Sequence, residues 1–225
     1  MALLVKICGL KTPDALETAL TAGADMVGFV FFPPSPRNLD FETARALAAQ
    51  VSGRALKVAL SVDADDALLA ASVEALQPDL LQLHGQEPPE RVLALKRKLG
   101  LPVMKAIAVE GKADLGKVAA YLRVADRLIF DARAPREATR PGGLGKAFDW
   151  HLLQNLNLRI PFMLSGGLDA GNVAGALRIT RAPGVDVSSG VERAPGEKDL
   201  DKIHAFVRAA RLADKMDTAT MASGA

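Results

Sequence analysis

Apolar residues in this chain cluster into eight short runs of strand type, at residues 3–8, 26–32, 56–62, 80–84, 102–107, 127–131, 161–164 and 184–188. Between them lie stretches whose Ala and Leu recur at helical spacing, at 13–22, 41–51, 65–76, 89–99, 111–122, 148–156 and 170–179. A last helical stretch, 199–215, closes the series. Thr12-Pro13 and Leu39-Asp40 have the form of helix entries, with proline in the first turn and aspartate as a cap. Strict alternation of strand and helix predicts parallel strands joined by right-handed crossovers. Two architectures satisfy it. An open doubly wound sheet would want a glycine-rich dinucleotide turn after the first strand. That place reads Cys8-Gly9-Leu10-Lys11, so the prediction is a closed (β/α)8 barrel.

Two glycine turns near the C-terminus, Ser165-Gly166-Gly167 and Ser188-Ser189-Gly190, each follow a predicted strand and precede a segment of helical character. Glycine admits close approach of backbone to ligand. Amides at a helix start carry unpaired donors and partial positive charge. After the seventh and eighth strands of a (β/α)8 barrel, such turns form a recurrent phosphate site, so the expected class is an α/β TIM barrel of the phosphate-binding type.

The chain's 225 residues, 49% of them hydrophobic, suit one barrel domain, expected over residues 1–215, with a small, polar and disordered tail at 216–225. A net charge of +2 with dispersed basic residues gives no nucleic-acid footprint. The start of the chain is interrupted by Lys6 and does not read as a signal peptide, and no apolar run approaches membrane-spanning length. A single cysteine excludes an internal disulfide and fits a cytoplasmic setting. No oligomeric state is legible.

Strand parity locates the chemistry, because alternate residues of a barrel strand face the interior. Val5 and Ile7 facing the helices put Lys6 and Cys8 inside. Leu81 and Leu83 outward put Gln82 and His84 inside. Val185 and Val187 outward leave Asp186 and Ser188 inside, and Asp131 ends the sixth strand. Polar groups thus gather where barrel enzymes place their catalytic residues. A lone cysteine at a strand end is ordinarily a small buried hydrophobe. The alternative reading, from its place beside Lys6 at the barrel mouth, is a thiol that ionises more easily and acts as a base. Asp131 either caps a loop or, in a desolvated pocket, serves as an acid. His84, His151 and His204 lack metal-ligand spacing. The long loop 132–147, with Gly142, Gly143, Gly145 and three arginines, reads as a mobile lid over an anion or as a tolerated surface insertion. Loop 32–38 is stiffened by three prolines and carries Arg37, whose planar fork suits a carboxylate.

Seven motifs in order along the barrel carry a resemblance: Val5-Lys6-Ile7-Cys8-Gly9-Leu10, Gly28-Phe29-Val30-Phe31, Ser35-Pro36-Arg37, Gln82-Leu83-His84-Gly85, Gly143-Leu144-Gly145-Lys146-Ala147-Phe148-Asp149-Trp150, Leu164-Ser165-Gly166-Gly167-Leu168 and Val185-Asp186-Val187-Ser188-Ser189-Gly190-Val191-Glu192. Together they resemble the phosphoribosylanthranilate isomerases of tryptophan biosynthesis. The resemblance implies an Amadori rearrangement of a phosphosugar–anthranilate adduct, a small-molecule substrate, without cofactor or metal. It implies Asp131 as general acid, Cys8 as general base and Arg37 on the anthranilate carboxylate. Gly166, Gly167, Ser189 and Gly190 would hold the phosphate, Gly143 would contribute from the lid, and His84 and Asp186 would line the pocket. Two other readings are an isomerase of a different phosphosugar, which would favour aspartate at position 8, and a non-catalytic phosphosugar-binding barrel.

Overall fold

The computed structural model describes every residue except Met1, Arg136, Thr139, Lys146, Asn155, Gly224 and Ala225, with side chains of 217–223 also left undescribed. Eight parallel strands close into a barrel in sequence order: β1 (Leu4–Cys8), β2 (Met26–Phe31), β3 (Leu56–Ser61), β4 (Leu80–Leu83), β5 (Val103–Val109), β6 (Arg127–Ala132), β7 (Phe162–Leu164) and β8 (Gly184–Val187). Pairing of β1 with both β2 and β8 completes the ring. Four helices lie where apolar spacing placed them: α1 (Pro13–Ala22), α2 (Phe41–Val51), α3 (Asp66–Leu76) and α4 (Pro89–Leu99). Thr12 Oγ1 accepts from the Ala15 amide at 3.3 Å and Asp40 Oδ1 from the Thr43 amide at 2.7 Å, so both anticipated caps form.

The other helices depart from the pattern, each for a local reason. Where one helix was expected over 111–122, a 3₁₀ segment Lys112–Lys117 precedes a short α5 (Val118–Tyr121). Asp114 Oδ2 accepts from the Glu110 and Gly111 amides, which tightens the entry into a turn. Residues 148–156 yield only a 3₁₀ turn, Trp150–Leu153. Leu156, Leu158 and Ile160 pack on the core at a spacing of two, which an extended chain satisfies and a helix does not. Helix α6 (Val173–Thr180) starts later than residue 170 because Asp169 Oδ1 takes the Gly171 and Asn172 amides in a turn. After β8 come a 3₁₀ turn, Ser189–Val191, a small hairpin of β9 (Glu192–Ala194) and β10 (Glu197–Lys198), and α7 (Leu200–Ser223). The α7 backbone therefore runs past Lys215, where order was expected to end; Gly224 and Ala225 lie outside the described residues.

Parity along the strands divides the interior from the outer core. Val5, Ile7, Leu81, Leu83, Val185 and Val187 join the large apolar layer between barrel and helices. Met26, Val58, Leu80, Met104, Ile129 and Met163 fill one part of the interior, and Cys8, Val30 and Leu60 form a separate inner cluster. Among the described residues no helix is long and apolar enough to cross a membrane.

Candidate active site

The C-terminal ends of the strands surround a cavity of about 800 Å³, counting its open mouth. Cys8, Arg37, His84, Asp131, Gly143, Gly166, Gly167, Asp186 and Ser189 all line it. Residues from six strands and their loops thus converge as parity required. Gly190 is next to Ser189 but is not among the residues that line the cavity. A Cβ there would overlap the Leu168 carbonyl oxygen, so this glycine lets the two glycine turns pack against each other.

Cys8 is buried beside an ion pair. Lys6 Nζ donates to Asp186 Oδ1 at 2.7 Å, both side chains being essentially closed to solvent, and Ser165 Oγ donates to Asp186 Oδ2 at 3.0 Å. The register partner of Cys8 on β2 is Gly28. A Cβ on Gly28 would stand 2.8 Å from Cys8 Sγ and 3.2 Å from Lys6 Cε, so the missing side chain makes the space that thiol and lysine share. Burial pushes Lys6 down, but the charges of Asp186 and of an ionised Cys8 pull it up further, and it stays an ammonium above the usual lysine value. For Cys8 the expected easier ionisation is corrected. Burial pushes the thiol up by more than Lys6 pulls it down, and Asp186 adds to the rise.

Asp131 sits at the end of β6 with both oxygens occupied: Oδ1 accepts from the Ala132 amide at 2.8 Å and Oδ2 contacts His84 Nε2 at 3.1 Å. Gln82 Nε2 lies 3.0 Å from His84 Nδ1, an arrangement in which Nδ1 accepts and Nε2 carries the proton toward Asp131. Gly142, from the loop after β6, lies over this pair. A Cβ there would stand 2.5 Å from Asp131 Oδ2 and 3.0 Å from His84 Nε2, so only glycine lets the loop close this tightly.

Arg37 is not the free fork that its stiff loop suggested. Its Nε and Nη2 donate to Glu192 Oε1 and Oε2, each at 2.7 Å, and Nη2 also reaches the Gly143 carbonyl at 3.1 Å. Lys198 Nζ joins from β10, donating to Glu192 Oε1 at 2.9 Å and to the Ser188 carbonyl at 2.9 Å. Burial pushes Glu192 up, but the Arg37 hydrogen bonds and the Lys198 charge outweigh it and hold the carboxyl below its usual range. Ser188 Oγ in turn donates to the Cys8 carbonyl at 3.1 Å, which links this network back to β1.

The two glycine turns combine positive φ at Gly166 (86°) and Gly167 (67°) with the three-residue 3₁₀ turn Ser189–Val191. The Gly166 and Gly167 amides carry no intramolecular hydrogen bond among the described residues. Among those residues no group of three or more His, Cys, Asp or Glu side chains is set to hold a metal ion.

The family model described as N-(5'phosphoribosyl)anthranilate (PRA) isomerase matches residues 5–209, nearly the whole barrel. The chain belongs to this family. N-(5'-phosphoribosyl)anthranilate isomerase of Bradyrhizobium sp. is 64% identical over 216 residues, covering 96% of this chain and 99% of the relative. A Rhodopseudomonas palustris isomerase is 66% identical over 213 residues, covering 95% and 100%. Among solved structures, the Thermotoga maritima phosphoribosyl anthranilate isomerase is 35% identical with a TM-score of 0.82, covering 93% of this chain and 98% of that one. An isomerase of the family at 32% identity and a TM-score of 0.80, with the same coverage, was solved in complex with reduced 1-(o-carboxyphenylamino)-1-deoxyribulose 5-phosphate.

Parity places Lys6, Cys8, Gln82, His84 and Asp186 inside the barrel, and Asp131 ends the sixth strand; the cavity brings Cys8, Gln82, His84, Asp131 and Asp186 together, with Lys6 beneath Cys8. Sequence reasoning gave no role to Glu192, Lys198 or Ser165. Glu192 closes the last quoted motif, and a charged residue there was the available signal. Lys198 reaches the site only because the β9–β10 hairpin folds back.

Proposed function

We propose that this chain isomerises N-(5'-phosphoribosyl)anthranilate to 1-(2-carboxyphenylamino)-1-deoxyribulose 5-phosphate in tryptophan biosynthesis, with Asp131 as general acid and Cys8 as general base. The observation that carries this reading is one cavity lined by both residues, from β1 and β6, and by two glycine turns suited to a phosphate. The related isomerase that holds the reduced product lends the substrate class.

The phosphate lies on the Gly166, Gly167 and Ser189 backbone, which fixes the ribose between thiol and carboxyl. Asp131 gives its proton to the ring oxygen as the C1–O bond breaks, and the anilino nitrogen lone pair forms the C1=N iminium. His84 Nε2, already on Oδ2, donates to the carboxylate left behind. The iminium acidifies C2. The Cys8 thiolate removes that proton, electrons move to nitrogen, and the enolamine tautomerises to the ketone as C1 gains a proton. Because the electron sink is the substrate's own iminium, the step draws on protein acid–base groups alone. Lys6, held by Asp186, is the fixed cation beside the thiolate. A cytoplasmic setting suits a base that is a free thiol.

Purified protein mixed with anthranilate, phosphoribosyl pyrophosphate and the transferase that joins them should speed the loss of adduct fluorescence above spontaneous breakdown. Cys8→Ser and Asp131→Asn should each lower turnover by ~10²–10⁴-fold with KM little changed. Near-normal turnover in either variant rejects the role assigned to that residue.

A further inference from the structure

The bonding of Arg37 leaves the substrate's carboxylate end incompletely provided for. Two of the three Arg37 guanidinium nitrogens face Glu192, which leaves Nη1 as the group turned to the cavity beside Gly143. The neighbouring cation is Arg140, from the loop after β6, which lines the same cavity together with Pro141, Gly142 and Gly143. Its Nε is closed to solvent and has no hydrogen-bond partner among the described residues. Nor does any described carboxylate lie within ion-pair distance of it, whereas Arg133 of the same loop is paired with Glu110 and Asp114. Arg136 lies outside the described residues.

Three cations, Arg37, Arg140 and Lys198, therefore stand near one carboxylate, Glu192, which pairs with Arg37 and Lys198 only. Burial and the Arg37 charge both weaken the hold of Arg140 on its proton, only partly offset by Glu192, as expected of a guanidinium that lacks its anion. The surroundings describe the missing group. Val30, Phe32, Leu60, Val62 and Leu144 line the cavity with apolar surface suited to an aromatic ring. The phosphate turns lie on the loops after β7 and β8; Lys198 meets the second of them through the Ser188 carbonyl, whereas Arg140 comes from the loop after β6. What fits between two guanidinium edges next to an apolar wall is a planar carboxylate on a ring.

We propose that Arg140 binds the aromatic carboxylate of the substrate, with Arg37 Nη1 as second donor, and so sets the preference for carboxylated over plain aromatic amines. The inference rests on the functional reading above and deepens it.

The test compares two substrates, the phosphoribosyl adducts of anthranilate and of aniline, in wild-type protein, Arg140→Ala and Arg140→Lys. Loss of a charged hydrogen bond predicts a fall of about 10- to 100-fold in kcat/KM for the anthranilate adduct in Arg140→Ala, carried by KM. The aniline adduct should change by less than about twofold, and Arg140→Lys should recover part of the loss. Equal losses on both adducts, or no loss on either, with wild-type turnover intact, overturn this inference alone. Wild-type protein inert on both adducts overturns the functional reading and this inference with it.

Discussion

The buried Lys6–Asp186 pair is the sharpest place to test the electrostatics of the site. Lys6 is fully closed to solvent and Asp186 nearly so, with 2.7 Å between Nζ and Oδ1. Removing one partner strands the other in a medium that solvates charge poorly. Lys6→Met leaves the Asp186 carboxylate with only Ser165 Oγ among these side-chain donors, and Asp186→Asn leaves an ammonium facing an amide. Breaking such a pair typically costs about 3–5 kcal/mol, and at about 2–4 °C per kcal/mol for a chain of this size each variant should melt roughly 6–20 °C lower. The double variant buries neither charge and should recover most of that loss, because replacing both members of a buried pair is often close to neutral. Turnover should not recover, since a thioether in place of the Lys6 ammonium gives the Cys8 thiolate no cation. Urea denaturation of the four proteins yields the cycle, and adduct fluorescence yields turnover. Costs that add to within ~0.5 kcal/mol would show that the two charges do not interact in the folded state and would refute the reasoning.

The raised Cys8 thiol fixes a pH dependence. The base is the ionised form, so kcat/KM of the free enzyme should climb with pH along a limb centred above the ordinary thiol value of about 8.5, and Lys6→Met should move that limb higher still. A stopped assay across about pH 6–10 checks this; a limb well below the ordinary thiol value of about 8.5 rejects the dominance of burial. Gly190→Ala should cost about 1–3 kcal/mol or more by wedging a methyl against the Leu168 carbonyl. Gly116→Ala, with nothing within 4 Å, should change stability by less than about 0.5 kcal/mol. Equal costs at the two positions in thermal melts would discount the close approach.

The eightfold alternation, strand parity and glycine turns were legible from the chain alone, because each is a local pattern: a period of two, a helical period, or a residue type that a turn demands. Parity placed Lys6, Cys8, His84 and Asp186 inside for the same reason. Helix existence was less secure over 148–156, where only a 3₁₀ turn forms and the apolar residues that follow, Leu156, Leu158 and Ile160, keep a spacing of two. Tertiary structure decided what the charges do. The pairing of Arg37 with Glu192 spans 155 positions and that of Lys6 with Asp186 spans 180, so no window of sequence contains either. The direction of the Cys8 shift was likewise beyond sequence, for it is a difference between burial and the reach of Lys6. Composition and order name which groups are present; distance and desolvation set the sign of their interaction.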